Sequence, residues 1–385
     1  MSDAAETPEP TSATIAEEQA HPGVFDDRVL FGQSAAFSGP AQELGLAMRL
    51  GIEAAFHERN AAGGVHGRTL ELVTLDDRYE PGFAYRNSRE LIRQERVFAL
   101  IGEVGTPTSR SVAPLVDAEA VPFVAPFTGA GFLRDPELET VVNLRASYAQ
   151  ETEQMVERLT EDLGVTRVAV MYQNDSFGQS GLSGVIDALE RRGLEPVATW
   201  YYERNSSAVK AAVFHIAEAN PEAVIMIGAY RPVAKAISLL RMDTDPVFMA
   251  VSFVGSNALA QELGDGAAGV YVTQVVPTPD DTEIPVVAEY RAAIGEIDPD
   301  AVPGFVSLEG YLAGRLAIVA LEACGAELSR ECFLDSYYAL QSIDLSGVSL
   351  NYGPGDNQGS DAVLLTVIDQ DGRFMPVANL VDAPR

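Results

Sequence analysis

The sequence predicts an α/β protein made of two similar doubly wound parallel-sheet lobes. From Asp27 onward, short β-branched runs alternate with longer amphipathic ones. Strand starts near residues 70, 97 and 122 are echoed by starts near 196, 223 and 247. The 385 residues also give enough chain for about two domains. Alternation of this kind demands right-handed crossovers and mostly parallel sheets covered by helices on both faces. Two lobes of one architecture leave a cleft between them.

The first strand is expected at 29–34. A helix over 41–62 follows, placing Leu44, Met48, Ile52, Ala55 and Phe56 on one face, and Gly63-Gly64 supplies its left-handed stop. Strands at 70–75, 97–103 and 122–127 alternate with helices at 83–94 and 107–120. A helix at 148–163 leads into strands at 167–172, 196–202, 223–229, 247–251 and 269–275, separated by helices at 179–192, 207–219 and 231–241. After Val276 comes a Pro/Asp segment, Pro277-Thr278-Pro279-Asp280-Asp281, and then helices at 284–295, 305–324 and 330–340. Two strand-like runs, 362–368 and 374–377, are joined by the turn Asp369-Gln370-Asp371-Gly372 and complete existing sheets.

Residues 1–26, with Asp3, Glu6, Pro8, Glu9, Pro10, Glu17, Glu18, Pro22 and Asp26, have no apolar period and read as a flexible acidic tether. They lack the basic start and apolar middle of a secretion signal, so either the chain is cytosolic or a signal was removed and Met1 added.

The formal net charge of −30 repels phosphate backbones and anionic headgroups, so no nucleic acid or membrane-surface partner is expected. The acids are scattered, which favours a solvated surface over a field that attracts cations. No run approaches the roughly 18 apolar residues of a membrane-spanning helix. Lys210 and Lys235 are the only lysines. The only cysteines, Cys324 and Cys332, stand eight positions apart across one short turn. A disulfide is the expectation, with two buried thiols as the alternative; it would contribute roughly 2–3 kcal/mol and imply an oxidising compartment.

Several motifs fail on context. Gly264-Asp265-Gly266-Ala267-Ala268-Gly269 spells the dinucleotide fingerprint, but its glycines follow a helix and precede a strand, so no helix N-terminus faces a pyrophosphate. His21, His57, His66 and His215 show no ligand spacing, and no metal is expected. Ser207-Ala208-Val209-Lys210 spells SxxK without its companion motifs, and Ser207 reads as a helix N-cap. No nucleophile elbow or phosphate loop occurs, so the chain reads as neither an enzyme nor a cofactor carrier.

Ligands of open α/β sheets sit beyond the carboxyl ends of the strands. There the chain places 33–40, 103–109 and 126–131 in its first half, and 173–178, 228–232 and 252–255 in its second. These ends carry hydroxyls, glycines and aromatics, with hardly any basic side chains. Thr106 before Pro107 reads as an N-cap with proline at the first helical position, leaving amide N–H groups for an anion such as a carboxylate. Ser38 and Ser176 read as caps as well. Thr106 and Thr128 are expected to touch ligand also, and Phe177 and Tyr230 to wall the cleft.

The segments 31–40, 51–55, 60–67, Asp76-Asp77, 102–109 and 125–130 resemble the branched-chain amino-acid-binding proteins, the periplasmic solute-binding components of ABC importers with the type I fold. The specific elements are Ser38-Gly39-Pro40 and the Asn-x-x-Gly-Gly-x-x-Gly run from Asn60 to Gly67. The similarity runs from about Asp27 to the end. It implies lobe 1 at 27–145 plus 276–349 and lobe 2 at 146–275 plus 350–385, with crossings near Ala146, Val275 and Leu350.

By the same resemblance, Gly105-Thr106 and Phe127-Thr128-Gly129 hold the carboxylate and ammonium of a ligand, and Phe177 and Tyr230 close from the second lobe. The acid that usually pairs with the ammonium is replaced by Ser252-Phe253. Either Glu103, Asp175 or Glu309 takes its place, or the ligand is a short carboxylate, an aromatic acid or an amide and not an α-amino acid. The implied function is an extracytoplasmic binding protein, lipid-anchored or free and monomeric, that delivers a small molecule to ABC permease subunits. The alternative is a ligand-sensing module for a sensor kinase or chemoreceptor. A transcription regulator of this fold would need a helix-turn-helix, which residues 1–26 do not contain.

Overall fold

The computed structural model describes residues 22–383. In its first half β1 (Arg28–Ala35), β2 (Thr69–Asp76), β3 (Ala99–Ile101), β4 (Phe123–Val124) and β5 (Val141–Val142) form a parallel sheet in the order β2-β1-β3-β4-β5. The second half contributes the parallel strands β6 (Val168–Gln173), β7 (Ala198–Tyr202), β8 (Ala223–Ile227), β9 (Val247–Ala250) and β10 (Val270–Gln274). A hairpin of β11 (Ser342–Asp344) and β12 (Ser349–Asn351) stands apart. The antiparallel pair β13 (Leu364–Ile368) and β14 (Phe374–Pro376) extends the second sheet to the order β14-β13-β10-β9-β8-β6-β7. The architecture is the predicted one, two α/β lobes with a cleft-forming junction.

The helices are α1 (Gln42–Ala61), α2 (Pro81–Arg93), α3 (Thr106–Ala118), α4 (Tyr148–Leu163), α5 (Ser176–Glu190), α6 (Lys210–Glu218) and α7 (Tyr230–Leu240). After them come α8 (Ser256–Leu263), α9 (Pro285–Ile297), α10 (Phe305–Cys324) and α11 (Arg330–Leu340). The late helix α10 returns to the first sheet's side and lies along α1. A Cβ on Gly51 would stand 1.9 Å from the Ser307 carbonyl oxygen and one on Gly310 2.3 Å from that of Met48, so glycine sets this close approach.

β3 and β4 are shorter than expected because Gly102 (φ 63°) and Ala125 (φ 46°) turn the chain out of the sheet. β5 is too short to show a period. Of the expected tether, residues 1–21 lie outside the described residues, while 22–26 lie against β1: the Leu30 N–H donates to the Gly23 carbonyl at 2.8 Å and Val24 bridges to Val29.

The serine and threonine caps expected from sequence are shifted. Gly105 precedes α3, so Thr106 occupies the first helical position. Asp175 caps α5, its carboxylate taking the N–H groups of Phe177 and Gly178, and Ser176 is one residue inside. α6 begins at Lys210 after Val209, leaving Ser207 outside, and the Ser38 hydroxyl donates to Asp76 at 2.5 Å instead of capping α1.

Three passages join the sheets: one after β5 through Arg145-Ala146-Ser147, one after β10, and one back to β13. Leu350 lies within β12, and the third passage runs beside Asn143, whose N–H donates to the Asn357 carbonyl while the Gly359 N–H donates to the Asn143 carbonyl, both at 2.8 Å.

Candidate functional site

The strand ends of the first sheet are tied to one another before they meet anything else. The Phe127 N–H donates to the Glu103 carbonyl at 2.7 Å, and that of Gly105 donates back to Phe127 at 3.2 Å. Gly105 has φ 108°, and a Cβ there would stand 2.2 Å from Tyr79 Cε2, so only glycine lets Tyr79 lie over the start of α3. The result sets Thr106 Oγ1 2.6 Å from Thr128 Oγ1, both side chains fully buried. Tyr148 joins them because its N–H donates to the Gly129 carbonyl at 2.7 Å.

The second sheet brings aromatic rings against this platform. Phe253, from the single turn after β9, packs on Phe127 at 5.3 Å, Phe177 at 4.5 Å and Tyr79 at 6.1 Å between ring centroids. Phe177 meets Tyr148 at 5.3 Å. Five rings from both sheets therefore close one junction. Beside it a gap of about 10 Å³ remains between Tyr79 and Gln173, Tyr202 and Ala229, the lower limit for one water. The two halves are thus closed on each other in this conformation.

A buried charged cluster forms the floor. Arg145, in the first passage, is 1% exposed, with its guanidinium 4.8 Å from the Phe127 ring centre. It reaches Ser252 Oγ and, at 3.4 Å, Glu151 Oε1, and its Nε stands 3.7 Å from Glu309 Oε1. Glu151 also accepts from the Ser252 N–H at 2.8 Å and from the hydroxyls of Ser252 and Thr273. Burial works against the Arg145 charge, but Glu309 and Glu151 outweigh it and hold the guanidinium above its ordinary range. Burial pushes the Glu309 carboxyl up to about 7 despite the pull of Arg145.

The structure thus brings together Thr106, Phe127, Thr128, Gly129, Phe177, Ser252 and Phe253, with Gly105 supporting them, and sets Glu309 at the floor. Others lie apart. Ser38 is bound to Asp76. Glu103 accepts from the Ser88 hydroxyl at 2.6 Å, and burial, with Asp77 adding, raises its pKa. Asp175 is occupied as the α5 cap and by Gln173 and Arg204. Tyr230 is 1% exposed at the start of α7, beside Gly255 and the first turn of α1.

Arg145, Tyr148, Glu151 and Tyr79 were missed. Arg145 and Tyr148 flank Ser147, which forms a capping box with Gln150, and that S-x-x-Q signal in the sequence could have placed both at the entry to α4. Cys324 and Cys332 are bonded, with Cα atoms 5.8 Å apart. A groove of about 1010 Å³ lies elsewhere, lined by Phe98, Arg330, Leu334 and Tyr338.

The periplasmic binding protein family signature matches residues 29–373. The chain belongs to that family. A solved structure of a possible leucine/isoleucine/valine-binding protein from Rhodopirellula baltica SH 1 is 40% identical, superposes with a TM-score of 0.87 and covers 91% of this chain and 96% of its own. Leu/Ile/Val-binding protein homolog 7 of Brucella abortus (strain 2308) is 23% identical over 391 residues, 94% of each chain. The fold is also that of a fatty acid ABC transporter substrate-binding protein from Thermomonospora curvata, 19% identical with a TM-score of 0.84 over 92% of each chain. The chain is therefore a binding protein of the branched-chain amino-acid-binding group, and not an enzyme. Among the described residues no helix is long and apolar enough to cross a membrane.

Proposed function

We propose that the protein is the extracytoplasmic solute-binding component of an ABC importer, taking a small amino acid or related carboxylate or amide by closure of its two lobes. The observation that carries this is the junction itself. Threonine hydroxyls from the strand ends of one sheet meet phenylalanine rings from those of the other, and Arg145 lies beneath in a passage between them. Such a site needs no covalent chemistry. A ligand shifts the open–closed balance only by its differential affinity for the closed form, so Phe177, Ser252 and Phe253, which close from the second sheet, supply the switch. The names of the relatives support a small amphipathic solute, and the ABC association of such proteins supports permease subunits as partners.

A thermal-shift screen against amino acids, short carboxylates, aromatic acids and amides tests the reading. A ligand at a hundredfold excess over its Kd stabilises the folded form by about 2.7 kcal/mol. A clear upward shift with one class is expected; a flat response across all four classes overturns the proposal.

A further inference from the structure

A second space between the halves lies apart from the ring junction. Along α1, Met48, Ile52 and Phe56 enter the core, while the neighbouring face, with Leu46, Ala47, Leu50 and Glu53 at helical spacing, lines a groove of about 450 Å³. A second wall is α8 of the other half, through Asn257 and Ala258. The third is the turn from α9 into α10, where Ile297 and Val306 line the groove and Val302 stands exposed. The start of α8 is anchored to both other walls. A Cβ on Gly255 would stand 2.5 Å from Leu44 Cδ2, and the Asn257 amide donates to the Pro303 carbonyl at 3.2 Å. The volume falls within the range of about 300–1,000 Å³ that small-molecule sites occupy.

The charge of the lining is one-sided. Three carboxylates, Glu43, Glu53 and Asp298, stand against one guanidinium, Arg49. Arg49 is divided between two contacts, its guanidinium 4.8 Å from the Phe37 ring centre and its Nε 3.8 Å from Glu53, beyond a hydrogen bond. Glu43 accepts from the Gln42 amide at 3.1 Å, and Asp298 from the Asp300 N–H at 3.0 Å. Glu53 accepts no hydrogen bond from the described residues. Burial outweighs Arg49 and holds the Glu53 carboxyl above its ordinary range, so this acid is short of both positive charge and donors.

An ammonium brings a positive charge and three N–H donors to such an acid. A carboxylate would add a fourth negative charge to the lining. The apolar side chains of α1, α8 and the α9–α10 turn suit a compact hydrocarbon body.

We propose that this groove is a second small-molecule site, separate from the solute junction, that takes apolar primary amines. Glu53 holds the ammonium, and Leu46, Leu50, Ala258 and Ile297 cover the hydrocarbon. The site goes beyond the import reading and does not depend on it.

Calorimetric titration of the purified full chain at pH 7 with cyclohexylamine, cyclohexanol and cyclohexanecarboxylate tests this. The amine is expected to bind saturably and at least fivefold more tightly than the alcohol, with the carboxylate weakest. Glu53→Gln is expected to bring the amine down to the level of the alcohol, and Ala47→Phe, which fills the groove, to weaken both. Glu195→Gln, at an exposed acid outside the groove, is expected to leave the ratio as it was. The wild-type ratio stands as a test even where a variant does not fold. Equal binding of amine and alcohol, tighter binding of the carboxylate, an amine that never saturates, or an amine affinity unmoved by Glu53→Gln overturns the site. Each of these leaves the solute-binding reading to be judged by its own screen.

Discussion

Phe253 distinguishes a junction that opens from one that is permanent core. Truncating a buried phenylalanine to alanine costs about 3–5 kcal/mol when its surroundings are always packed. Phe253 is fully buried, but two of its three ring partners, Phe127 and Tyr79, lie on the opposite lobe. Phe253→Ala is therefore expected to weaken ligand binding at least tenfold while lowering the ligand-free unfolding free energy by less than about 2 kcal/mol. A loss near the full core value in urea unfolding contradicts opening. Asp77 gives a second residue-level expectation. Burial raises its carboxyl to about 7, against the pull of the Tyr79 N–H and the Ser34 hydroxyl. The folded form keeps a proton that the unfolded chain releases from about pH 4, so stability falls as pH rises from there to about 7. The loss is on the order of 4 kcal/mol, at about 1.4 kcal/mol per pH unit over about three units. Asp77→Asn is expected to reduce the difference in unfolding free energy between pH 4.5 and 8; an unchanged difference removes Asp77 as its source.

At the scale of elements, the loop between β2 and α2 reaches across the junction. Arg78 (φ 55°) and Tyr79 (φ 60°) are both left-handed, held by the Asp76 and Asp77 carboxylates through their N–H groups. This presents the Tyr79 hydroxyl to Gln173 at 3.2 Å, and Glu80 to Arg204 at 2.9 Å and Asn205 at 2.7 Å. Arg204 also pairs with Asp175, the cap of the helix that carries Phe177. The contacts of Tyr79 and Glu80 with Gln173, Arg204 and Asn205 cross between the halves in this closed conformation, while the Arg204–Asp175 pair lies within the second half. Arg204→Ala is expected to speed ligand release about five- to tenfold with association unchanged, as stopped-flow fluorescence would read. Equal release rates contradict the latch. The disulfide belongs to a different element pair, α10 and α11, and its removal in Cys324→Ser/Cys332→Ser is expected to cost about 2–3 kcal/mol of stability and leave ligand affinity as it was. The strand end 173–178 was legible in advance, but the loop and Arg204 were not, since two left-handed non-glycine residues leave no compositional mark and Arg204 lies more than a hundred positions from the Glu80 it meets.

Across the whole molecule, the alternation of strand and helix was legible because each element buries one face and its period shows locally. The junction was legible only in part. Thr106, Thr128, Phe127 and Phe177 follow strands directly, so their place beyond the sheet edge could be read. Arg145 and Glu151 flank the start of α4, but their meeting with Ser252, Thr273 and Glu309 joins distant parts of the chain, and no local period encodes that.

The stapling of Asn143 to the returning chain has a mechanical corollary. Its backbone is bonded on both sides to Asn357 and Gly359, its side-chain amide reaches the Leu133 carbonyl at 2.9 Å, and the Tyr352 hydroxyl donates to its carbonyl at 3.1 Å. Two of the three connections are therefore tied to each other beside the junction. A bend there is expected to carry both together, so a distance label across the rim should follow the opening.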